Sequence, residues 1–164
     1  MANYVAFTAA INPPNATTVI TREQVWAGLE IKIESGETFV GAAIQSTDVL
    51  KKYSQEKTGL PVTEREVVFR DGGRRMHETC VAFEPMKVEF HQKDGGRVMN
   101  IISQGAGGET DLYMTYTFEW QHPELKGDAA GLAEKKKGEE AMAKKAVEST
   151  IEVLRELVQN GKIK

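Results

Sequence analysis

Ten residues in the second half of the chain alternate almost without error between apolar and polar side chains. From position 111 to 120, one side of an extended chain carries an apolar, aromatic-rich set, namely Leu112, Met114, Tyr116, Phe118 and Trp120. Polar residues and Tyr113 occupy the alternate positions. Because successive side chains of a strand point to opposite faces, the pattern predicts a long β-strand with one buried face and one face in water.

A long C-terminal helix is predicted to cover that buried face. Apolar residues recur at helical spacing from Ala143 to Val158, and a face rich in lysine and glutamate lies opposite them. The helix is expected to begin between Asp128 and Leu132, and Asn160-Gly161 supplies a typical helix end. A curved sheet that grips one helix predicts an internal cavity between the two.

The remaining segments predict one strand, two helices and five more strands before the strand at 111–120. Thr21 and Gln24 have the spacing of a capping box, in which each side chain accepts a hydrogen bond from the other residue's backbone. The predicted helices cover residues 21–34 and 37–43, and the strands cover residues 4–11, 46–53, 64–70, 75–83, 87–92 and 98–103. Turn residues separate the later strands. We therefore expect a single α+β domain over residues 1–164, with a curved antiparallel seven-stranded sheet in the order β-α-α-β6-α.

Charge and composition exclude several classes of function. A net charge of −3 gives no basic surface for a nucleic acid, and no apolar run approaches the ~20 residues of a membrane span. The single cysteine, Cys80, and His91 do not make a metal site, and no metal-binding or cofactor-binding motif is present. We expect a cytoplasmic protein with no cofactor, no metal and no membrane or nucleic-acid partner; the oligomeric state is open.

The inward face of the sheet follows from strand pairing, because directly paired residues share a face. A short turn at Pro85-Met86 pairs Phe83 with Val88, which places Val81, Thr79 and His77 on the inward face together with Phe90. The turn at 71–73 then turns Arg65 and Phe69 inward, and a one-residue slip inverts each of these sets. For the strand at 98–103, either Val98, Asn100 and Ile102 or Met99, Ile101 and Ser103 face inward, and the first set is favoured. The predicted cavity lining is Arg65, Phe69, His77, Thr79, Val81, Phe90, Asn100, Met114, Tyr116, Phe118 and Trp120.

The order of elements resembles the helix-grip fold of the START and birch-pollen-allergen (SRPBCC) superfamily, and several motifs resemble its AtaL-like subfamily. That subfamily takes its name from a member encoded in a fungal secondary-metabolite cluster. The motifs are Ile11-Asn12-Pro13-Pro14, Thr21-Arg22-Glu23-Gln24-Val25-Trp26, Pro85-Met86-Lys87-Val88, Asn100-Ile101-Ile102-Ser103, Thr115-Tyr116-Thr117-Phe118-Glu119-Trp120 and Glu152-Val153-Leu154-Arg155-Glu156-Leu157. The resemblance spans the chain and implies the fold and a cavity, but it supplies no catalytic signature.

Three functions remain open at this point. The first is binding of a small hydrophobic or aromatic molecule, such as a secondary-metabolite intermediate, in the cavity. The second is a polyketide-type cyclase, dehydratase or isomerase of the kind found in related helix-grip families. In that enzyme, His77 would be the acid or base, Arg65 would hold an anion, and Tyr116 or Asn100 would stabilise an oxyanion. The third is a protein-interaction module similar to chaperone regulators. Each polar residue also has a purely structural interpretation, since a buried tyrosine usually finds a hydrogen-bond partner within the fold.

Overall fold

One curved antiparallel sheet and one long helix form the frame of the structure, a computed structural model that describes residues 1–164. Its elements in chain order are β1 (Ala2–Ala10), α1 (Arg22–Glu34), α2 (Gly36–Val40), β2 (Ile44–Ser54), β3 (Pro61–Phe69), β4 (Arg75–Phe83), β5 (Lys87–Gln92), β6 (Arg97–Gln104), β7 (Leu112–Gln121) and α3 (Ala129–Gln159). The strand order in the sheet is β1-β7-β6-β5-β4-β3-β2. This architecture confirms the predicted α+β helix-grip fold.

The two longer helices begin where their capping residues lie. At the start of α1, the Gln24 backbone N–H donates to Thr21 Oγ1 at 3.2 Å, and the Thr21 backbone N–H donates to Gln24 Oε1 at 3.0 Å. At the start of α3, the Gly131 backbone N–H donates to the Asp128 carboxylate at 2.8 Å. Each bond satisfies a backbone donor that a helix terminus leaves without an intrahelical partner. The predicted starts of both helices are confirmed.

The main core lies between the inner face of the sheet and helices α1 and α3. It contains 20 buried residues, including Val25 and Leu29 from α1, Met114 and Tyr116 from β7, and Leu154 from α3. A smaller cluster of Ile44, Val67 and Met76 lies under the β2–β3–β4 edge. No helix of the structure combines the length and the apolar character that crossing a membrane requires.

Helices α1 and α3 approach each other closely at Gly28. A Cβ atom at this position would stand 1.9 Å from Leu154 Cδ2, and the Leu154 side chain is fully buried. We expect Gly28→Ala to lower the free energy of unfolding by about 1–3 kcal/mol, because overpacking outweighs the higher helix propensity of alanine. Urea denaturation followed by circular dichroism measures this effect.

The matched control for that substitution is Gly138→Ala in α3. A Cβ at Gly138 meets no atom within 4 Å, so only the propensity effect remains. The free energy of unfolding of the control variant should rise by about 0.5–1 kcal/mol. Equal changes in the free energy of unfolding of the two variants would contradict the close contact between α1 and α3 at Gly28.

Candidate functional site

Strand β4 presents the opposite face from the one that the sequence predicted. Phe83 pairs with Lys87 and Ala82 with Val88, so Ala82, Cys80 and Glu78 face the core. The loop between β4 and β5 contains the three residues 84–86, one more than the predicted two-residue turn. One extra loop residue shifts the register by one position and therefore moves every side chain of the strand to the other face.

Three predicted site residues lie on the outer face of the sheet as a result of this shift. The inward placement of His77, Thr79 and Val81 was wrong. The His77 side chain is 41% exposed and lies 4.0 Å from the Glu64 carboxylate. Thr79 pairs with Glu64 and His91, and Val81 pairs with Val62 and Glu89. The predicted acid–base role of His77 depended on a dry pocket, and the side chain does not lie in one.

The other predicted lining residues do face inward. Asn100 and Ile102 are buried, which decides the open choice on β6 in favour of the first set. The buried or core-packed residues of the predicted lining are Arg65, Phe90, Asn100, Met114, Tyr116 and Phe118, and Phe69 packs on the smaller cluster. Trp120 stacks on Phe118, with ring centroids 4.5 Å apart. These positions are thus brought together under the sheet, but side chains of α1 and α3 fill the space between them.

A groove of about 350 Å³ lies between α1 and the inner face of β3 and β4. Helix α1 contributes Trp26, Glu30, Ile33 and Glu34, and the sheet contributes Pro61, Thr63, Cys80 and Ala82. Lys52, Glu84 and the loop at 58–60 complete its lining. None of the eleven predicted site residues lines this groove, and it is partly open, whereas the sequence predicted an enclosed cavity. A second groove of about 410 Å³ lies between residues 12–19 and 107–111, and polar and apolar atoms line it in similar proportions.

The first groove combines several apolar side chains with a largely acidic opening, and a buried tryptophan lies in its wall. Trp26 is 5% exposed, and its indole Nε1 has no hydrogen-bond partner in the protein. Three glutamates and one lysine stand around the opening, and the lysine, Lys52, is already paired with Glu34. The groove therefore suits a largely apolar molecule without a negative charge.

A buried lysine is the most unusual group near the groove. Lys32 of α1 is 6% exposed, and its Nζ lies 3.0 Å from Asn100 Oδ1 and 2.6 Å from the Tyr116 hydroxyl. Tyr116 in turn donates to Thr150 Oγ1 of α3 at 2.8 Å. The Asn100 Nδ2 group has no partner, although the residue is fully buried. Helix α1, the sheet and α3 thus meet at one polar cluster, Lys32, Asn100, Tyr116 and Thr150, which we call the Lys32 cluster.

Burial changes the acid–base properties of this cluster. Desolvation, followed by repulsion from Arg65, lowers the pKa of Lys32 to about 7, against a weaker opposing effect of Glu78. Desolvation also raises the pKa of Tyr116, so the tyrosine keeps its proton at physiological pH. A lysine with a pKa near neutrality is a free amine for a large fraction of the time, which is the state that reacts with electrophiles. Cys80, by contrast, is inert, because burial raises the pKa of its thiol to about 12.

Arg65 and Glu78 form a buried ion pair beside the Lys32 cluster. Arg65 Nε and Nη2 donate to Glu78 Oε2 at 2.9 and 2.7 Å. Arg65 Nη1 donates to the backbone carbonyls of Lys32 and Ile33 at 2.7 and 2.9 Å, near the end of α1. The guanidinium therefore holds the last turn of α1 against β3 and β4, and these bonds use four of the five N–H groups that the predicted anion site would draw on.

A third set of buried polar residues joins the β1–β7 side of the sheet to α3. His122 Nε2 lies 2.6 Å from Glu139 Oε1, and Asn3 donates to Glu139 Oε2 at 2.7 Å. Glu139 is 4% exposed, whereas the glutamate-rich face of the last helix was predicted to lie opposite its apolar face. These contacts join β1 and the end of β7 to α3, and they lie away from the groove lining.

Four residues of these sites were not predicted from the sequence, namely Lys32, Glu78, Thr150 and the groove residue Trp26. A signal for Lys32 was available: Val25, Leu29 and Lys32 follow one another at helical spacing, so the lysine interrupts an apolar face. Glu78 had no comparable signal, because its burial depends on the register of β4.

Comparison with known proteins identifies relatives of this chain. The sequence profile of the family described as "AtaL: Acetylaranotin biosynthesis cluster protein L" matches residues 5–161. A search of curated proteins by sequence gives no match. Among solved structures, the chain is similar to the di-domain ARO/CYC BexL from the BE-7585A biosynthetic pathway, with a TM-score of 0.60 and 12% identity over 94% of this chain. It spans about half of that protein, 49% of its length.

Two further structures match along nearly their whole length. The Zhui aromatase/cyclase from Streptomyces sp. R1128 has a TM-score of 0.57 and 14% identity, covering 97% of this chain and 94% of that one. The protein TTHA0849 from Thermus thermophilus has a TM-score of 0.57 and 16% identity, covering 97% of this chain and 99% of that one. At such identities the similarity shows a shared fold.

Proposed function

The chain belongs to the AtaL family, and we propose that it binds a small, largely apolar molecule in the groove between α1 and the inner face of β3 and β4. Secondary-metabolite intermediates are the ligand class that the family's description suggests. The largely acidic opening favours a neutral or cationic molecule, because a carboxylate or phosphate would be repelled by Glu30, Glu34 and Glu84.

The observation that carries this proposal is a groove that combines the apolar side chains of Trp26, Ile33, Leu60 and Ala82 with a largely acidic opening. A volume of about 350 Å³ lies within the range of small-molecule sites, which pair apolar walls with a few orienting polar groups.

Filling the groove should abolish binding. In Ala82→Leu, three additional carbon atoms project from the groove floor, and we expect the affinity for the neutral aromatic probe N-phenyl-1-naphthylamine to fall at least tenfold. Fluorescence titration measures the change, and far-UV circular dichroism checks the fold. Ala141→Leu on the exposed face of α3 is the matched control and should bind as the wild type does. Equal affinities of Ala82→Leu and wild type would contradict the proposed site.

A catalytic use of the same region is the second candidate, and the Lys32 cluster favours it. The aromatase/cyclases share this fold, and a reaction of cyclase, dehydratase or isomerase type needs a group that moves protons near neutral pH. Lys32 meets that requirement better than the exposed His77 does. The interaction-module hypothesis and the cytoplasmic location stay predictions.

A further inference from the structure

The Lys32 cluster has the arrangement of a covalent amine site. We infer that Lys32 is a nucleophile that forms an imine with a small apolar aldehyde or ketone, and that Asn100 and Tyr116 assist this reaction. The inference rests on the proposed binding in the groove, since the groove would admit and hold the apolar part of the carbonyl compound.

The hydrogen-bond partners of Lys32 fit a neutral amine. A neutral amine has two N–H groups and one lone pair, and Nζ has two acceptors, Asn100 Oδ1 and the Tyr116 hydroxyl. An ammonium group would have a third N–H, for which no acceptor lies within hydrogen-bond distance. The charged groups near Nζ are Arg65 on β3 and Glu78 on β4, and they are bonded to each other. The lone pair of the neutral amine is therefore left without a partner.

Asn100 supplies a donor for the carbonyl oxygen of the substrate. Its Nδ2 group is buried and has no partner in the protein, although an amide nitrogen carries two N–H groups. A carbonyl oxygen that accepts from Nδ2 would bring its carbon next to Nζ, because Nζ already contacts the other atom of the same amide group. A buried donor without an acceptor, beside a nucleophile, is the type of group that stabilises a developing oxyanion.

One row of paired residues across the sheet connects the groove floor with the site of this amine. Ala82 lines the groove and pairs with Val88, Val88 pairs with Asn100, and Asn100 pairs with Tyr116. Paired residues share a face and lie about 5 Å apart, so Asn100 lies roughly 10 Å from the groove floor. The Val88 side chain stands between them. A molecule that enters from the groove reaches Lys32 when this side chain moves.

The chemical step balances without any further reagent. Nζ attacks the carbonyl carbon, an N–C bond forms as the C=O π bond breaks, and the oxygen takes a proton that leaves Nζ through the Tyr116 hydroxyl. The carbinolamine then loses its hydroxyl group, which departs as water with the second Nζ proton, and a C=N bond remains. The products are one imine and one water molecule.

Reductive trapping tests this inference. The protein is incubated at pH 7 with benzaldehyde and cyanoborohydride, which reduces an imine to a stable secondary amine, and peptide mass spectrometry locates the label. We expect Lys32 to be labelled at least tenfold faster than exposed lysines such as Lys137, because a lysine amine in water at pH 7 is almost entirely protonated. The rate at Lys32 should rise through pH 7, and Lys32→Met should lose this label alone. Labelling confined to Met1 and the exposed lysines overturns the inference.

A second variant tests the route from the groove. Val88→Ala shortens the side chain between the groove floor and Asn100, so Lys32 should be labelled several-fold faster in this variant. An unchanged or lower rate overturns the proposed route.

Binding of N-phenyl-1-naphthylamine separates the two proposals. A protein that binds the probe without trapping at Lys32 contradicts only the imine inference, whereas trapping without probe binding contradicts the proposed groove function.

Discussion

Replacing Arg65 by methionine is expected to lower the free energy of unfolding by about 3–5 kcal/mol, because it leaves a buried carboxylate without its counter-charge. The side chains of Arg65 and Glu78 are 4% and 6% exposed, so water can replace the lost guanidinium only poorly. The backbone carbonyls of Lys32 and Ile33 also lose their donor at the end of α1. Urea denaturation at pH 7 measures the loss.

Two further variants show that the effect comes from the uncompensated charge. In Arg65→Met/Glu78→Leu both charges are removed, and we expect most of the lost stability to return, since apolar residues often replace a buried ion pair without loss. Arg75→Met removes an arginine that pairs with Glu66 on the surface, where its side chain is 65% exposed. That substitution should lower the free energy of unfolding by less than about 1 kcal/mol. If the free energy of unfolding stays low in the double variant, the bonds between Arg65 and α1 account for the lost stability.

Much of the fold could be predicted from local sequence signals. The capping box at Thr21, the alternation of β7 and the apolar spacing of α3 each depend on residues close together in the chain, and all three are found. The inward face of β5 also followed directly, because Val88 and Phe90 alternate with polar residues. Signals of this kind need no knowledge of the partner strand.

The face of β4 could not be predicted in the same way. The residues 75–83 place apolar or small side chains at both odd and even positions, so periodicity alone does not choose a face. The choice depended on the length of the loop at 84–86, and one residue of error moved His77 outward and Glu78 inward. The buried ion pair of Arg65 and Glu78 could therefore be identified only from the observed register of β4.

The Lys32 cluster shows a second limit of sequence analysis. Asn100 and Tyr116 were predicted to face inward, but the group that meets them comes from α1, 68 and 84 positions away. Neither strand pairing nor helical spacing specifies which helix residue lies over which strand residue. A lysine on an apolar helix face indicates that some buried partner exists, and the tertiary structure is needed to name that partner.

Replacing Lys32 by methionine should change stability in a way that depends strongly on pH. Burial holds the pKa of Lys32 at about 7 in the folded protein, against about 10.4 for a lysine in an unfolded chain. Below pH 7 both states carry the proton, and the folded state bears the full cost of a buried charge. Between pH 7 and pH 10 the folded state has released a proton that the unfolded state keeps. The wild type therefore gains about 1.4 kcal/mol of stability per pH unit from this group, a gain that the variant lacks.

The comparison of wild type with Lys32→Met at several pH values isolates this contribution, since the other titrating groups are common to both proteins. The unfolding free energy of wild type relative to the variant should rise by about 4 kcal/mol from pH 6 to pH 10. At pH 6 we expect the variant to be the more stable protein, because methionine buries no charge. At pH 10 the wild type should be more stable, because methionine leaves Asn100 Oδ1 without its donor. A difference that stays constant across this range would mean that Lys32 keeps its proton when folded, and the imine chemistry inferred for it would then lack its free amine.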